Sequence, residues 1–255
     1  MVKSEWYKYS RRMVVWIFIC AITVIAIQDA IASRSNFIQL PYIEAKFLLA
    51  STNKGHMAAI TLLWLLPIYY FVTVSELYLN EKRYHIDLLL VSRSGRSRFL
   101  KTKMLFGPVF ISGSYFIVFL LNAGITSLLC KTQNVKMVES MIEVFPSWRN
   151  MAHWIYDHRL LTYLLYVLMT TIIIFTFGVL INAIVISIPN RKLCYPILLV
   201  YWQLWWFGKY DISKAMQPFT EYGLSYAIVS FSAFVLSAIV IIVILWKRLA
   251  ADDIT

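Results

Sequence analysis

Charge is scarce in this chain. Only 15% of its 255 residues are Asp, Glu, Lys or Arg, where a soluble domain carries about a quarter. Acid is the rarer sign: 13 Asp and Glu stand against 24 Lys and Arg, for a net charge of +11. Cysteine is scarce as well. Cys20, Cys130 and Cys194 are odd in number, form no C-x-x-C pair, and two of them lie in or at the start of apolar runs. A disulfide framework and a cysteine zinc site are therefore not indicated, and the thiols read as small buried hydrophobes. Only four His are present. His153 and His158 in "HWIYDH" are five residues apart, which does not match H-E-x-x-H, and no Glu there serves as a base.

What the chain has is hydrocarbon: 60% of its residues are hydrophobic. Runs at 13–32, 57–79, 104–130, 160–188 and 224–246 reach the roughly 20 residues that cross a bilayer. A sixth run, "LCYPILLVYWQLWWF" at 193–207, is short and extends to 210 only by including Gly208 to Tyr210. Pro196, Gln203 and three Trp make it a broken, tilted or partly buried span. The expectation is an all-α integral membrane protein of six transmembrane helices forming one domain over residues 1–255. No soluble domain, low-complexity tract or clear internal repeat interrupts it.

Lys and Arg set the orientation. With six spans and an internal N-terminus, the cytoplasmic segments 1–12, 80–103, 189–192 and 247–255 hold four, seven, two and two basic residues, 15 of the 24. Both termini are expected on the cytoplasmic side. A basic start, an apolar core and "AIAS" at 30–33 also resemble a cleavable secretory signal. Against that stand the length of the core and Asp29 just before the site. Ahead of it, "SEWYKYSRRM" puts Trp6, Tyr9 and Met13 at helical spacing beside Lys8, Arg11 and Arg12. That pattern suits a helix lying in the membrane interface, aromatics at headgroup depth and cations toward anionic lipid, or else a merely basic flank.

The most basic stretch is "EKRYHIDLLLVSRSGRSRFLKTK" at 81–103, with seven Lys or Arg. It imitates a phosphate-binding loop: a strand-like run at 86–91, then Gly95, then Lys101-Thr102. Leu100 occupies the second glycine position of G-x-x-x-x-G-K-[ST], and the segment runs straight into a membrane span, so a nucleotide site is not expected. Nor is nucleic-acid binding, since the same cations already serve topology and anionic lipid. Tyr84, Leu88 and Val91 recur at helical spacing, with Ile86, Leu89 and Leu90 nearby. The spacing predicts a short, nearly horizontal helix over 81–91, broken at "SRSG", with Ser94 or Ser97 capping the next helix.

On these residues the chain resembles the type-2 ATP-binding-cassette permeases. Their first cytoplasmic loop commonly has an acidic residue, a Leu-rich turn, a short Pro/Ser/Arg segment and a Lys entering the third span. Here those positions are Glu81, "LLLVS" at 88–92, "RSGRSR" at 93–98 and Lys103. The usual Gly-Thr is replaced by "HID", and Arg93 stands for the usual Pro. The six-span plan, the N-terminal interfacial segment and the short fifth run extend the resemblance. It implies a permease subunit with no cofactor of its own and no catalytic residue, in a bacterial plasma membrane. A separate ATPase subunit would bind ATP, and a second permease copy or paralogue and membrane lipids would complete the assembly. Glu81, Tyr84, Leu88, Leu89, Val91, Arg96 and Lys103 would form the coupling surface, and Pro67 and Pro108 would localise bending in spans two and three.

The remaining signals are weaker. "VKMVESMIEVFPSW" puts Val135, Val138, Ile142 and Phe145 on one helical face, outside the membrane. Asp29 and Glu76 lie near span ends, so charge at the midplane is too sparse for an ion-coupled carrier. Asn122, Asn182 and Gln203 are expected to bond helix to helix. A secondary transporter would show paired broken helices, and a polytopic membrane enzyme would show acids, His or Ser clustered at one depth. Both are the alternative readings. The few pathway charges suit a hydrophobic or amphipathic cargo: a bacteriocin-like or phenol-soluble-modulin-like peptide first, lipid or drug second. The orientation is testable by cysteine labelling in a background lacking the native thiols. Asn150→Cys should react with an impermeant maleimide on intact cells, and Ser94→Cys only after permeabilisation. Labelling at position 94 from outside overturns the topology.

Overall fold

A computed structural model describes residues 2–35, 43–50, 57–130, 154–155, 157–219 and 223–251. The outer segment 135–146, His153 and Asn150 lie outside them. The described residues hold helices and no strand. In chain order these are α1 (Val2–Ser10), α2 (Met13–Ser35), α3 (Met57–Trp64), α4 (Leu66–Tyr70), α5 (Glu76–Arg83), α6 (Ile86–Ser94), α7 (Arg96–Leu129), α8 (Arg159–Ser187), α9 (Arg191–Phe207), α10 (Ile212–Met216) and α11 (Gly223–Ala251). A 3₁₀ turn, Ile43–Lys46, follows α2, and a π-helical turn, Phe71–Ser75, joins α4 to α5.

Four helices are long and apolar enough to cross a membrane: α2, α7, α8 and α11. A fifth is counted if α3 and the stretch Leu66–Arg83, which meet at 56°, form one broken span. This is a membrane protein. The bend falls where expected, because Pro67 has no N–H to continue the bonding of the preceding turn and instead starts α4. Pro108 behaves differently, for α7 runs through it unbroken. The sixth run is shorter than its expected 193–210. Helix α9 stops at Phe207, and its 17 residues rise about 25 Å, less than a hydrocarbon core of about 30 Å. Helix α2, by contrast, continues without a break through "AIAS" to Ser35.

Helix α8 is the axis of the bundle. Every residue from 176 to 186 is buried, as expected of a helix that is apolar on all sides. Helices α7 and α11 pack along it, and α2 packs on α7. Two-thirds of the apolar window of α8 is buried, against 17% for α11, so α11 forms the outer wall. Aromatic rings knit α8, α9 and α11 together. Trp202 lies 4.4 Å from Phe177 and 6.0 Å from Phe234 between ring centroids, and Trp205 lies 5.4 Å from Phe234, spacings at which aromatic pairs attract beyond simple burial.

Polar side chains repair the backbone where it departs from helical bonding, as a low-dielectric interior requires. Pro108 cannot donate to the Met104 carbonyl. The Asn182 amide reaches across from α8 to donate to Lys103 O at 2.9 Å and Met104 O at 3.4 Å. At the other end, Asn122 donates to Ala26 O at 2.8 Å and accepts from Leu48 N at 2.9 Å. That contact holds the non-helical stretch 47–50 as a buried plug against α2, α7 and α8. Trp64 donates to Gln203 at 2.7 Å, so all three expected amides do bridge separate elements.

The tightest crossing is at Gly178. A Cβ there would collide with the ring and hydroxyl of Tyr70. The missing side chain lets Tyr70 reach the Ile174 carbonyl, one turn back on α8, at 2.9 Å. Gly178→Ala is expected to lower the melting temperature in detergent, since overpacking costs about 1–3 kcal/mol. Tyr70→Val in the same chain should recover part of the loss. If the single variant melts like the wild type, the crossing is not tight.

Candidate functional site

The polar end of the bundle that carries α1 is built around four paired charges, of which Glu5, Glu81 and Lys103 are buried and Lys8 is partly exposed. Helix α1 ends at Ser10 because Arg11 and Arg12 turn the chain into α2. Its i,i+3 pair Glu5 and Lys8 shares a face with Tyr9. That face is pinned on α7, with Tyr9 5.1 Å from Phe106 and Trp6 6.1 Å from Phe110 between ring centroids. Glu81 comes from the last turn of α5, and Lys103 from the third turn of α7. Lys8 Nζ lies 3.1 Å from Glu5 and 2.6 Å from Glu81; Lys103 Nζ lies 2.9 Å from Glu5 and 2.5 Å from Glu81. The four ion pairs close a ring of alternating sign.

The ring is neutral, and each charge faces two of opposite sign. This arrangement offsets the several kcal/mol that each buried ion loses in hydration. Three of the pairs are also hydrogen bonds; the Lys103–Glu81 contact is an ion pair without hydrogen-bond geometry. Burial opposes the Lys8 charge, but the hydrogen bond to Glu81 and the fields of both carboxylates outweigh it and hold its pKa above the usual 10.5. Lys8 therefore stays charged at physiological pH. Its stabilising contribution is complete below 10.5 and is lost only as pH climbs through the raised value. Burial, with Glu5 beside it, pushes the Tyr9 phenol up strongly.

Helix α5 reaches a further helix through a second polar cluster. Arg191 contacts Glu76 at 2.7 Å and Asn80 at 2.8 Å, and Tyr195 donates to Glu76 at 2.6 Å. These bonds tie the start of α9 to α5. Arg12 donates to the Thr73 carbonyl at 3.0 Å, in the widened π turn. Of the three cations expected to face lipid from the N-terminal segment, Lys8 and Arg12 are thus taken by the protein. Arg11 remains exposed, stacked 4.2 Å over Tyr7.

The loop between the bent span and α7 differs from expectation in its boundaries. The chain leaves α5 at Tyr84 and turns at His85 in the left-handed region (φ 56°). It then runs as α6 from 86, not 81, to 94, so the stretch 86–91 is helical and not strand-like. Neither Ser94 nor Ser97 caps α7. Its N-cap is Gly95 (φ 77°), a conformation that glycine adopts at little cost, while Ser94 bonds back to Leu90 O at 2.6 Å. Lys101 and Thr102 lie inside α7. Asp87, at the start of α6, pairs with Lys82 at 3.2 Å, and its charge complements the helix N-terminus.

The seven residues singled out for coupling fall into three groups. Tyr84, Leu88 and Leu89 are exposed at 61–67% and form an apolar patch at the polar end. Val91 is half-buried against the cluster of Phe99, Leu100 and Leu249. Arg96 donates to Leu249 O at 3.2 Å, fastening the end of α11. Glu81 and Lys103 are buried in the ring and do not reach the surface. The ring was missed because two of its pairs, Lys8–Glu81 and Glu5–Lys103, join residues 73 and 98 apart. The i,i+3 spacing of Glu5 and Lys8, and the place of Glu5 four residues before Tyr9, were the local signals. Among the described residues no three His, Cys, Asp or Glu side chains gather as a metal site.

No protein-family model matches the chain, and no solved structure matches it. Among curated proteins it is similar to the uncharacterized protein YybM of Bacillus subtilis (strain 168). The two are 21% identical over 203 residues, which cover 79% of this chain and 80% of that one.

Removing one member of the ring leaves the others uncompensated. Lys103→Met is expected to destabilise the protein by about 3–5 kcal/mol, whereas Lys103→Arg, which keeps the charge, should retain most of the stability. Thermal unfolding in detergent reads both. Equal melting temperatures for Lys103→Met and the wild type would mean that the ring is not a structural element.

Proposed function

We propose that the chain is the membrane-spanning permease subunit of an ATP-binding-cassette exporter, driven by a separate ATPase subunit. The observation that supports it is α6: a short helix between two membrane elements, with Leu88 and Leu89 exposed on it and Tyr84 exposed just before it, at an end rich in charge. Its flanks are anchored. Glu81 precedes it and Lys103 follows it in the buried ring, so a push on α6 passes directly to α1, α5 and α7. In this reading α9 completes six spans, both termini lie in the cytoplasm of a bacterial cell, and α6 docks into a groove on the ATPase. A second permease copy or paralogue completes the pathway. ATP is bound and hydrolysed on the partner, and α6 receives the motion as the two ATPases close.

The cargo in this reading is hydrophobic or amphipathic. An amphipathic peptide fits the aromatic and aliphatic bundle best, with lipid or drug as the second choice. Of the residues assigned to coupling, Tyr84, Leu88 and Leu89 make the contact. Val91 and Arg96 brace the patch, and Glu81 and Lys103 transmit.

Leu88→Asp and Tyr84→Ala are expected to reduce the ATPase subunit retained on co-purification in mild detergent and to uncouple its hydrolysis from transport. Membrane insertion should be unchanged. Truncating a central docking anchor typically costs more than about 1 kcal/mol, and a buried lone carboxylate costs more. If both variants retain the ATPase and couple normally, α6 is a connector and the reading fails.

A further inference from the structure

Beside the ring, α1, the first half of α2 and the middle of α7 enclose an open groove of about 240 Å³. Trp6, Trp16, Ile19, Phe110, Ile117 and Val118 form most of its wall. Ser10, Thr23 and Ser114 also line it, yet each of their hydroxyls is turned back on its own helix. Ser10 donates to Tyr7 O at 3.1 Å, Thr23 to Ile19 O at 2.8 Å and Ser114 to Phe110 O at 2.9 Å. The Trp16 indole N–H is spent on Ser10 O at 2.7 Å, and the Tyr9 hydroxyl stands on the α7 side, close to where a Cβ on Gly107 would lie. The wall therefore offers a hydrocarbon surface, and a polar ligand would find no partner deep inside it. From Trp16 to Thr23 the groove follows α2 for seven residues, about 10 Å of rise.

The mouth has a different chemistry. It lies at the α1–α2 turn, where Trp6 and Trp16 are each about half exposed, as indoles at headgroup depth are. Lys3 and Arg11 are exposed on the same N-terminal segment, and Arg11 directly follows the groove residue Ser10. An apolar slot about one-third of a bilayer core deep, walled by aromatics and followed in the chain by the exposed Arg11, matches an acyl chain joined to an anionic head. We infer that this groove is a binding site for one anionic phospholipid of the leaflet at the α1 end, one of its two acyl chains between α2 and α7 and its phosphate beside Arg11. The inference is independent of the ATPase reading. An occupant here stiffens the packing of α1 on α7, and with it the ring.

The test is native mass spectrometry of the full chain in mild detergent, titrated with dioleoyl phosphatidylglycerol or dioleoyl phosphatidylethanolamine. One phosphatidylglycerol per chain should be retained in preference to phosphatidylethanolamine. Ser114→Trp, which fills the groove, should abolish that retention. Arg11→Gln should reduce the preference about fivefold, the equivalent of about 1 kcal/mol for one cation at an anionic surface. A measurement on the wild-type chain guards against misfolded variants. Phosphatidylglycerol with a diazirine in its acyl chain should label 15–23 and 110–118 in preference to 236–244 on the equally lipid-facing α11. Equal retention of the two lipids, undiminished retention by Ser114→Trp, or uniform labelling each overturns the site. So does preferential labelling of the groove by a diazirine-bearing amphipathic peptide that phosphatidylglycerol cannot displace.

Discussion

Three buried charges and a partly exposed fourth hold the polar end of this bundle together. Glu5, Lys8, Glu81 and Lys103 come from three helices, and each is tolerable inside only because two opposite charges stand within 3.1 Å of it. Attraction repays desolvation only at good geometry, so the ring demands fixed positions of α1, α5 and α7. Helix α5 becomes the strut. It carries Glu81 into the ring, Glu76 and Asn80 to Arg191 on α9, and Lys82 to Asp87 on α6. Four helices are thereby referenced to eight residues of chain.

The same economy governs the backbone. A span with a proline, a π turn and a non-helical plug would leave carbonyls and amides unpaired in a medium without water. Each departure is met by a side chain from another element: Asn182 for the carbonyls behind Pro108, Arg12 for Thr73, Asn122 for Leu48. The repairs double as interhelical ties. They also explain how α7 stays continuous through Pro108 while the α3–α4 junction bends. Among the described residues, Pro108 has a donor waiting across the interface, and Pro67 lies at the start of a new helix.

The ring also flanks α6, with Glu81 before it and Lys103 after it. A helix with three exposed apolar side chains on a loosely tethered loop would be an interfacial connector. Here Glu81 and Lys103 on either side of α6 are tied to each other in the ring. The neighbouring groove lies against two of the ring's helices, α1 and α7.

Local chemistry determined a good deal. Runs of about 20 apolar residues have no stable place except in or across a membrane, so five of the helical elements and the class of protein were legible at once. So were the bend at Pro67, the roles of Asn122, Asn182 and Gln203, and a helix near Leu88, because each follows from bonding within a turn or from an amide that must find a partner. The start of α6 at Ile86 was not legible, since the turn at His85 uses a left-handed conformation that a non-glycine residue adopts only when its surroundings impose it. Nor was the buried plug at 47–50, which depends on an amide 74 residues away. Glu81 and Lys103 looked like surface charge because composition treats a lone acid among cations as solvated. Whether a charge is solvated or paired is decided by what stands within about 3 Å of it, and only the folding of α1 against α5 and α7 brings those partners together.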